Sequence, residues 1–260
     1  MQLKDKVILI TGAGSGIGRA TAIAMAQAGA RVVCADINEQ AAQHSAQLAT
    51  ASNAVDTLTL GVDVCEVSAI EQMIASTVEK FERLDVIVNA AGITRQSDIL
   101  NITEDDWDRT YRINVRGTFF CLQRAAQQMI KQGSGVIINL ASIAGRGYIN
   151  TSNVAYSSGK GAVISMTKTA AQQLGRYNIN VNAICPGVTE TPMVEQLFAT
   201  RAQEQGVSID EIRRGVEATI PIGRVNRPED IAGMAVFLAS PAARNITGQA
   251  YNVDGGLVTS

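Results

Sequence analysis

The chain has 260 residues, 46% of them hydrophobic and 18% charged, with a formal net charge of −2. That length suits one large α/β domain, and with aromatics at only 4% its core must be aliphatic. The near-neutral charge gives no electrostatic case for nucleic acid or an anionic membrane surface, and no apolar run reaches the ~18 residues of a membrane span.

Short aliphatic runs alternate with longer amphipathic stretches. In chain order the pattern predicts a strand at Val7–Thr11, a helix at Gly16–Ala28, a strand at Arg31–Asp36 and a helix at Glu39–Ala49. A strand at Thr57–Val62, a helix at Val67–Glu82, a strand at Val86–Asn89 and a long helix at Glu104–Lys131 follow. The last are a strand at Val136–Leu140, a helix at Ala155–Gly175, a strand at Asn180–Ile184, a helix at Pro228–Ala239 and a strand at Ala250–Val253. Strands apolar throughout and separated by helices imply a parallel sheet covered on both faces, the doubly wound α/β plan. One segment breaks the alternation. Val188 to Pro221 is rich in charge and reads as one or two short exposed helices, a lid beside a ligand crevice.

Thr11-Gly12-Ala13-Gly14-Ser15-Gly16-Ile17-Gly18 leaves the first strand and opens the first helix. Glycines allow a tight turn and close approach of backbone to a pyrophosphate, which the helix N-terminus attracts. Asp36 ends the second strand, where a carboxylate can accept hydrogen bonds from the adenosine ribose of NAD and would repel the 2′-phosphate of NADP. Neither Ser15 nor Ile37 is basic, so NAD is the expected cofactor. The alternative for Asp36 is a cap on the following helix.

Tyr156 and Lys160 are four apart on a predicted helix and so share one face. A neighbouring ammonium favours a phenolate, which would fit Tyr156 for proton transfer to and from an alcohol. The four cysteines, Cys34, Cys65, Cys121 and Cys185, form no CxxC pair and read as buried thiols; His44 sits in a polar helix without a motif. No cluster with metal-ligand spacing is present, so no metal is expected.

These motifs in this order resemble the short-chain dehydrogenase/reductase family: the glycine-rich turn, Asp63, Asn89-Ala90-Ala91-Gly92, Asn114, Ser142, Tyr156 with Lys160, and Pro186-Gly187. The resemblance covers essentially the whole chain. It implies a single Rossmann-type domain with a small helical lid. It also implies Tyr156 as general acid/base, Lys160 holding the nicotinamide ribose and lowering the Tyr156 pKa, and Ser142 bonding the reacting oxygen. Asn114 would kink its helix and hold a water in a proton relay. Gly12, Ser15, Gly16, Ile17, Gly18, Asp36 and Ile37 would bind the cofactor, with Asp63 and Val64 at the adenine and Asn89, Ala90, Ala91 and Gly92 along the adenosine side. Pro186, Gly187, Val188, Thr189 and Thr191 would meet the nicotinamide end, although Thr191 could be only a helix cap before Pro192.

Ala90 departs from the family's usual asparagine. Gly159 and Gly161 flank Lys160 at a helix cost of roughly 1 kcal/mol each, and close approach of helix to cofactor is the candidate reason. Arg95, Arg146, Tyr148, Asn150 and Asn153, with Ser142, are the candidate substrate residues, read as a pocket for a small polar polyol, sugar or hydroxyketone. A 3-oxoacyl thioester reductase is the rival reading, since Gly92-Ile93-Thr94-Arg95 resembles that type; a catalytically silent NAD-binding sensor is the remote one. Family likeness and surplus apolar positions on the long helices predict a homotetramer. Met1–Lys6 lacks the apolar core of a signal peptide, so a cytoplasmic location is expected.

Overall fold

The computed structural model describes residues 2–54, 56–148, 150 and 152–259. Seven strands form one parallel sheet: β1 (Val7–Thr11), β2 (Arg31–Asp36), β3 (Thr57–Gly61), β4 (Val86–Asn89), β5 (Gly135–Leu140), β6 (Ile179–Pro186) and β7 (Ala250–Val253). Their order is β3-β2-β1-β4-β5-β6-β7, with every adjacent pair parallel. Right-handed crossovers of this kind need a helix between strands. The helices are α1 (Gly16–Gln27), α2 (Glu39–Ala51), α3 (Val67–Phe81), α4 (Glu104–Tyr111), α5 (Thr118–Gln132), α6 (Val154–Leu174), α7 (Pro192–Gln205), α8 (Ile209–Glu217) and α9 (Pro228–Ala239).

Two aliphatic layers flank the sheet. On one side Met25 and Ala26 of α1, Ala42 and Ala46 of α2, and Ile231 and Leu238 of α9 cover Ile8, Ile10, Val32 and Ile138. On the other, Ile70 and Met73 of α3, Cys121 and Met129 of α5, and Ala171 of α6 cover Val7, Leu9, Ile87 and Val181. The four cysteines are free and buried, in keeping with the sequence, and His44 is exposed on α2. No helix among the described residues is long and apolar enough to cross a membrane.

Three expectations needed correction. The edge strand β3 is half-buried along Thr57–Leu60, because only one neighbour and one helix layer cover it. The long helix expected over Glu104–Lys131 is two helices joined by a π-helical turn, Arg112–Gly117. There a Cβ on Gly117 would stand 3.0 Å from both Val64 Cγ2 and the Val64 carbonyl oxygen, so the widened turn fits against the β3–α3 loop. Strand β6 extends further than expected, to Pro186. The lid is two short helices, α7 and α8, capped by Thr191 and by a Ser208–Glu211 capping box.

At the end of the sheet away from the crevice, buried Asp85 ties two strands together. It accepts from Val7 N at 2.9 Å, Lys6 Nζ at 3.1 Å and Arg83 Nε at 2.8 Å. Burial alone would raise its carboxyl; Arg83, the Val7 N–H and Lys6 outweigh that and hold it below the ordinary aspartate value. Asp85→Asn is therefore expected to lower the unfolding free energy by about 1–3 kcal/mol in denaturant melts at neutral pH. The wild type should lose the same margin on acidification, because its folded carboxyl titrates below its unfolded one.

Candidate active site

The strand order reverses between β1 and β4, and a crevice opens beyond their carboxyl ends. A cleft of about 330 Å³ lies there. Gly12, Ser15, Gly16, Ile17 and Gly18 form its floor, Asp36, Ile37, Asp63 and Val64 one end, and Ala90, Ala91, Gly92 and Thr191 the other side. The glycines are required sterically. Gly12 has φ +67°, and a Cβ there would stand 2.7 Å from the Ala91 backbone; one on Gly18 would stand 2.0 Å from the Gly12 carbonyl oxygen. Ser15 caps α1 without a side-chain bond, so the first-turn amides face the cleft for an anionic group. The cradle fits a dinucleotide pyrophosphate.

Asp36 Oδ2 accepts from Gly14 N at 2.9 Å and Oδ1 from Asn38 N at 2.9 Å. A Cβ on Gly14 would stand 2.8 Å from the Asp36 carboxylate. The α2 cap is Asn38, whose side chain accepts from Ala41 N, so the capping alternative for Asp36 does not hold. Each Asp36 oxygen keeps a lone pair toward the cleft.

Of the expected cofactor residues on loops and strand ends, five do not line this cleft: Asn89, Pro186, Gly187, Val188 and Thr189. Asn89 donates its Nδ2 to Asn139 Oδ1 at 2.8 Å inside the sheet layer, and its Oδ1 is buried without a partner. Pro186 ends β6. Thr189 is buried, donates to the Gly187 carbonyl at 3.0 Å and bridges to Asn226. Val188 and Gly187 line a second, adjoining pocket with Ser142 and Tyr156. Thr191 both caps α7 and reaches the glycine loop, where a Cβ on Gly16 would stand 3.0 Å from its Cγ2. Ala35, Val62, Ile93, Ile113 and Met193 also line the cleft; as apolar residues without a motif they give no sequence signal.

Helix α6 carries the expected catalytic pair, Tyr156 and Lys160. Asn153 caps it by accepting from Tyr156 N at 2.7 Å. Lys160 Nζ donates to the Leu140 carbonyl, the last of β5, at 2.7 Å and lies 5.7 Å from the Tyr156 ring centroid. Ser142 follows β5 and accepts from Ala144 N at 3.1 Å. The short turn Ile143–Arg146 then packs backbone to backbone on α6: a Cβ on Gly145 would stand 2.5 Å from Lys160 C, and one on Gly161 3.4 Å from the Gly145 carbonyl oxygen. Gly145 is therefore the glycine this contact requires, while a side chain at 161 would make only an ordinary contact with the turn. Gly159 faces Val115 Cγ2 at 3.3 Å by the same measure.

Asn114 sits in the π-helical turn and spends its side chain on one residue. Its Oδ1 accepts from Ile93 N and its Nδ2 donates to the Ile93 carbonyl, both at 2.8 Å. A Cβ on Gly92 would stand 3.1 Å from Asn114 Oδ1 and 3.5 Å from Lys160 Nζ, so strand end, turn and helix converge on one spot.

Burial pushes the Tyr156 phenol above its ordinary value, and the Ser142 hydroxyl acts the other way. The Lys160 ammonium is directed to the Leu140 carbonyl. Burial pulls Lys160 itself down to about 8.

The pocket over Ser142 and Tyr156 holds about 110 Å³ and includes Tyr148 and Asn150 as expected. Three predicted substrate residues lie outside it. The Arg95 guanidinium pairs with Asp106 on the surface. Arg146 donates to the Ala250 carbonyl on β7. Asn153 uses its Nδ2 on the Arg95 carbonyl at 2.7 Å besides capping α6. The expected lining segments were Ile93–Ser97, Ala144–Asn153 and the lid Glu190–Thr219; Ile149 and Thr151 of the second lie outside the described residues. Thr94, Ser152 and, on α7, Val194, Leu197, Phe198 and Arg201 at i, i+3, i+4 and i+7 line the pocket from all three segments. Among the described residues no group of three or more His, Cys, Asp or Glu could hold a metal ion.

A family model described as enoyl-(acyl carrier protein) reductase matches residues 12–258. The chain is 40% identical to a 3-oxoacyl-[acyl-carrier-protein] reductase of Thermotoga maritima over 99% of its own length and 100% of the relative's. It is 42% identical to a sorbitol dehydrogenase of Cereibacter sphaeroides over 98% of each. Its fold is similar to that of a short-chain type dehydrogenase/reductase from Mycobacterium marinum, with TM-score 0.90 and 32% identity over 100% of this chain and 98% of that one.

Lys160 holds a charge where water is excluded, and its folded pKa lies below that of an unfolded lysine. The penalty is in full force below about 8 and fades as pH rises toward the ordinary lysine value. The stability advantage of Lys160→Met over the wild type is therefore expected to shrink by up to about 3 kcal/mol between pH 7 and 10. Paired denaturant melts across that range measure it; a pH-independent difference would contradict the assignment.

Proposed function

The chain belongs to the short-chain dehydrogenase/reductase family, and we propose that it is an NAD-dependent member that interconverts a small secondary alcohol, of polyol, sugar or hydroxyketone type, and its ketone. It is an oxidoreductase acting on CH–OH groups. The observation that carries the finer reading is Asp36, whose carboxylate stands at the adenosine end of the cleft, flanked by exposed Ile37. A second negative group beside it would be repelled.

Bound NAD supplies the hydride acceptor. In oxidation Tyr156 takes the hydroxyl proton, while Ser142 hydrogen-bonds the same oxygen and holds it as the carbon loses its hydride; in reduction Tyr156 returns the proton to the carbonyl oxygen. Burial that raises the phenol suits it to hold that proton for reduction at neutral pH. It also suits oxidation to alkaline pH. Lys160 would hold the nicotinamide ribose, and Asn114 would place a relay water at the Gly92–Lys160 convergence. The small pocket and its Ser142, Tyr148 and Ser152 hydroxyls support a compact polar substrate.

The 3-oxoacyl thioester reading is supported by two 3-oxoacyl-[acyl-carrier-protein] reductases at 40% and 38% identity and by (3R)-3-hydroxyacyl-CoA dehydrogenases at 37% and 38%. Asp36 and the two-helix lid weigh against it. The intact Ser142, Tyr156 and Lys160 set weighs against a silent sensor. For assembly we propose a homotetramer, supported by Leu100, Trp107, Phe119 and Val154, large apolar side chains left exposed on and beside α4, α5 and α6. Light scattering on the purified protein decides this: a monomer mass would remove it.

Two kinetic outcomes test the reaction. kcat/KM for NAD is expected to exceed that for NADP by at least about a hundredfold, and Asp36→Ser to narrow the gap. Tyr156→Phe is expected to reduce turnover about 10²–10⁴-fold while NAD binding persists. Activity on acyl thioesters but not on any polyol would reverse the substrate order.

A further inference from the structure

We propose that Arg201 is the specificity-determining residue of this pocket and that it binds an oxyanion, a carboxylate or phosphate, carried by the substrate itself. The inference rests on the alcohol-oxidising reading above and narrows its substrate class.

Helix α7 turns one stripe toward the reaction pocket: Val194, Leu197, Phe198 and Arg201, at i, i+3, i+4 and i+7. Three of these positions are apolar. The fourth is a guanidinium, and it is the sole charged side chain among the described residues that line the pocket. Every other polar group there is a neutral hydroxyl or amide.

Its bonding leaves it incompletely used. Arg201 Nε donates to Gln96 Oε1 at 3.2 Å and Nη2 donates to the Asn150 carbonyl at 3.3 Å. Both partners are neutral, both contacts are long for a charged donor, and a guanidinium has five N–H groups. A second arginine of the lid is treated differently: Arg213, stacked over Phe198, is neutralised by Glu190 and Glu195. Glu204, one turn beyond Arg201, borders the neighbouring cavity and forms no ion pair with it. Among the described residues this half-buried cation has no counter-ion, and, facing the space above Ser142 and Tyr156, it is arranged to receive one from the ligand.

The substrate would then present its secondary alcohol to Ser142 and Tyr156 at one end and a carboxylate or phosphate to Arg201 at the other, with its carbon chain along Val194 and Leu197. Short hydroxy acids and polyol monophosphates have this form. The two long contacts also join α7 to the loops carrying Gln96 and Asn150, so a ligand oxyanion at Arg201 would draw the lid onto the pocket.

The test compares neutral polyols, hydroxy acids and polyol monophosphates as substrates with NAD, in the wild type, Arg201→Met and Arg201→Lys. An anionic member is expected to have the highest kcat/KM. Arg201→Met should lower the anionic-to-neutral ratio about ten- to a hundredfold, chiefly through KM, and Arg201→Lys should recover part of it. The two anionic arms tell carboxylate from phosphate. Equal losses on neutral and anionic substrates, or a neutral polyol preferred by the wild type, would overturn the proposal and leave Arg201 as a lid contact. If no alcohol is oxidised, the reading of the reaction fails separately. The anion site is then judged by thermal shift of the NAD-bound protein with lactate and with inorganic phosphate: stabilisation in the wild type but not in Arg201→Met supports it, and no difference overturns it.

Discussion

An ammonium group has been carried out of water to the carboxyl edge of the sheet, where the Leu140 carbonyl receives it. Such a group is costly unless its donors are met and its position fixed, and several features of this chain meet that demand. Lys160 can lie there only because α6 comes close to the end of β5. That approach depends on Gly145, whose backbone occupies the place where a side chain would meet Lys160. Once α6 is seated, Tyr156 one turn earlier on the same face stands beside Ser142 with no further adjustment. The charged nitrogen thus organises the geometry as well as the electrostatics of the site.

The neighbouring strand end makes the second half of the arrangement. Asn114 closes both hydrogen bonds of Ile93 and can do so because the backbone widens into a π-helical turn. A regular helix over Glu104–Lys131 would carry that side chain to a different angle, away from Ile93. Gly92 leaves room for Asn114 and Lys160 at once. The cofactor cleft and the substrate pocket meet at Met193, which lines both, just after the Thr191 cap that leans on Gly16. Lid position, phosphate loop and reaction pocket are therefore mechanically joined.

Much of this was legible in the sequence. The buried strands and their crossover helices follow from aliphatic runs of the right length, so most strand limits agree within a residue or two. Asp36 and the glycine turn were readable because their roles depend on backbone shape near the motif itself. Arg95, Arg146 and Asn153 were misread for a common reason. Arg146 and Asn153 are close in sequence to Ser142 and Tyr156, and Arg95 follows the Asn89–Gly92 motif, but the partners Ala250, the Arg95 carbonyl and Asp106 are set by how the chain packs. The π-helical turn was invisible for a related reason: it packs at Gly117 against Val64, which comes from another segment. Gly145 carries no motif in the sequence, and only the fold shows that its missing side chain lets the turn pack on α6.

The relatives show why the reaction is easier to read than the substrate. A sorbitol dehydrogenase and a 3-oxoacyl-[acyl-carrier-protein] reductase match the chain over nearly its whole length at about the same identity. The groups proposed to move the proton and seat the cofactor lie on strand ends and on α6, where packing allows few alternatives. Those proposed to select the substrate lie on α7, a helix fastened at its N-cap and through the Arg213 ion pairs. A change at position 194, 197 or 201 alters the pocket wall without disturbing either core layer. Substrate choice can therefore vary along that one helical stripe while the machinery beneath it stays fixed, and in this chain the stripe ends in an arginine with no carboxylate to answer it.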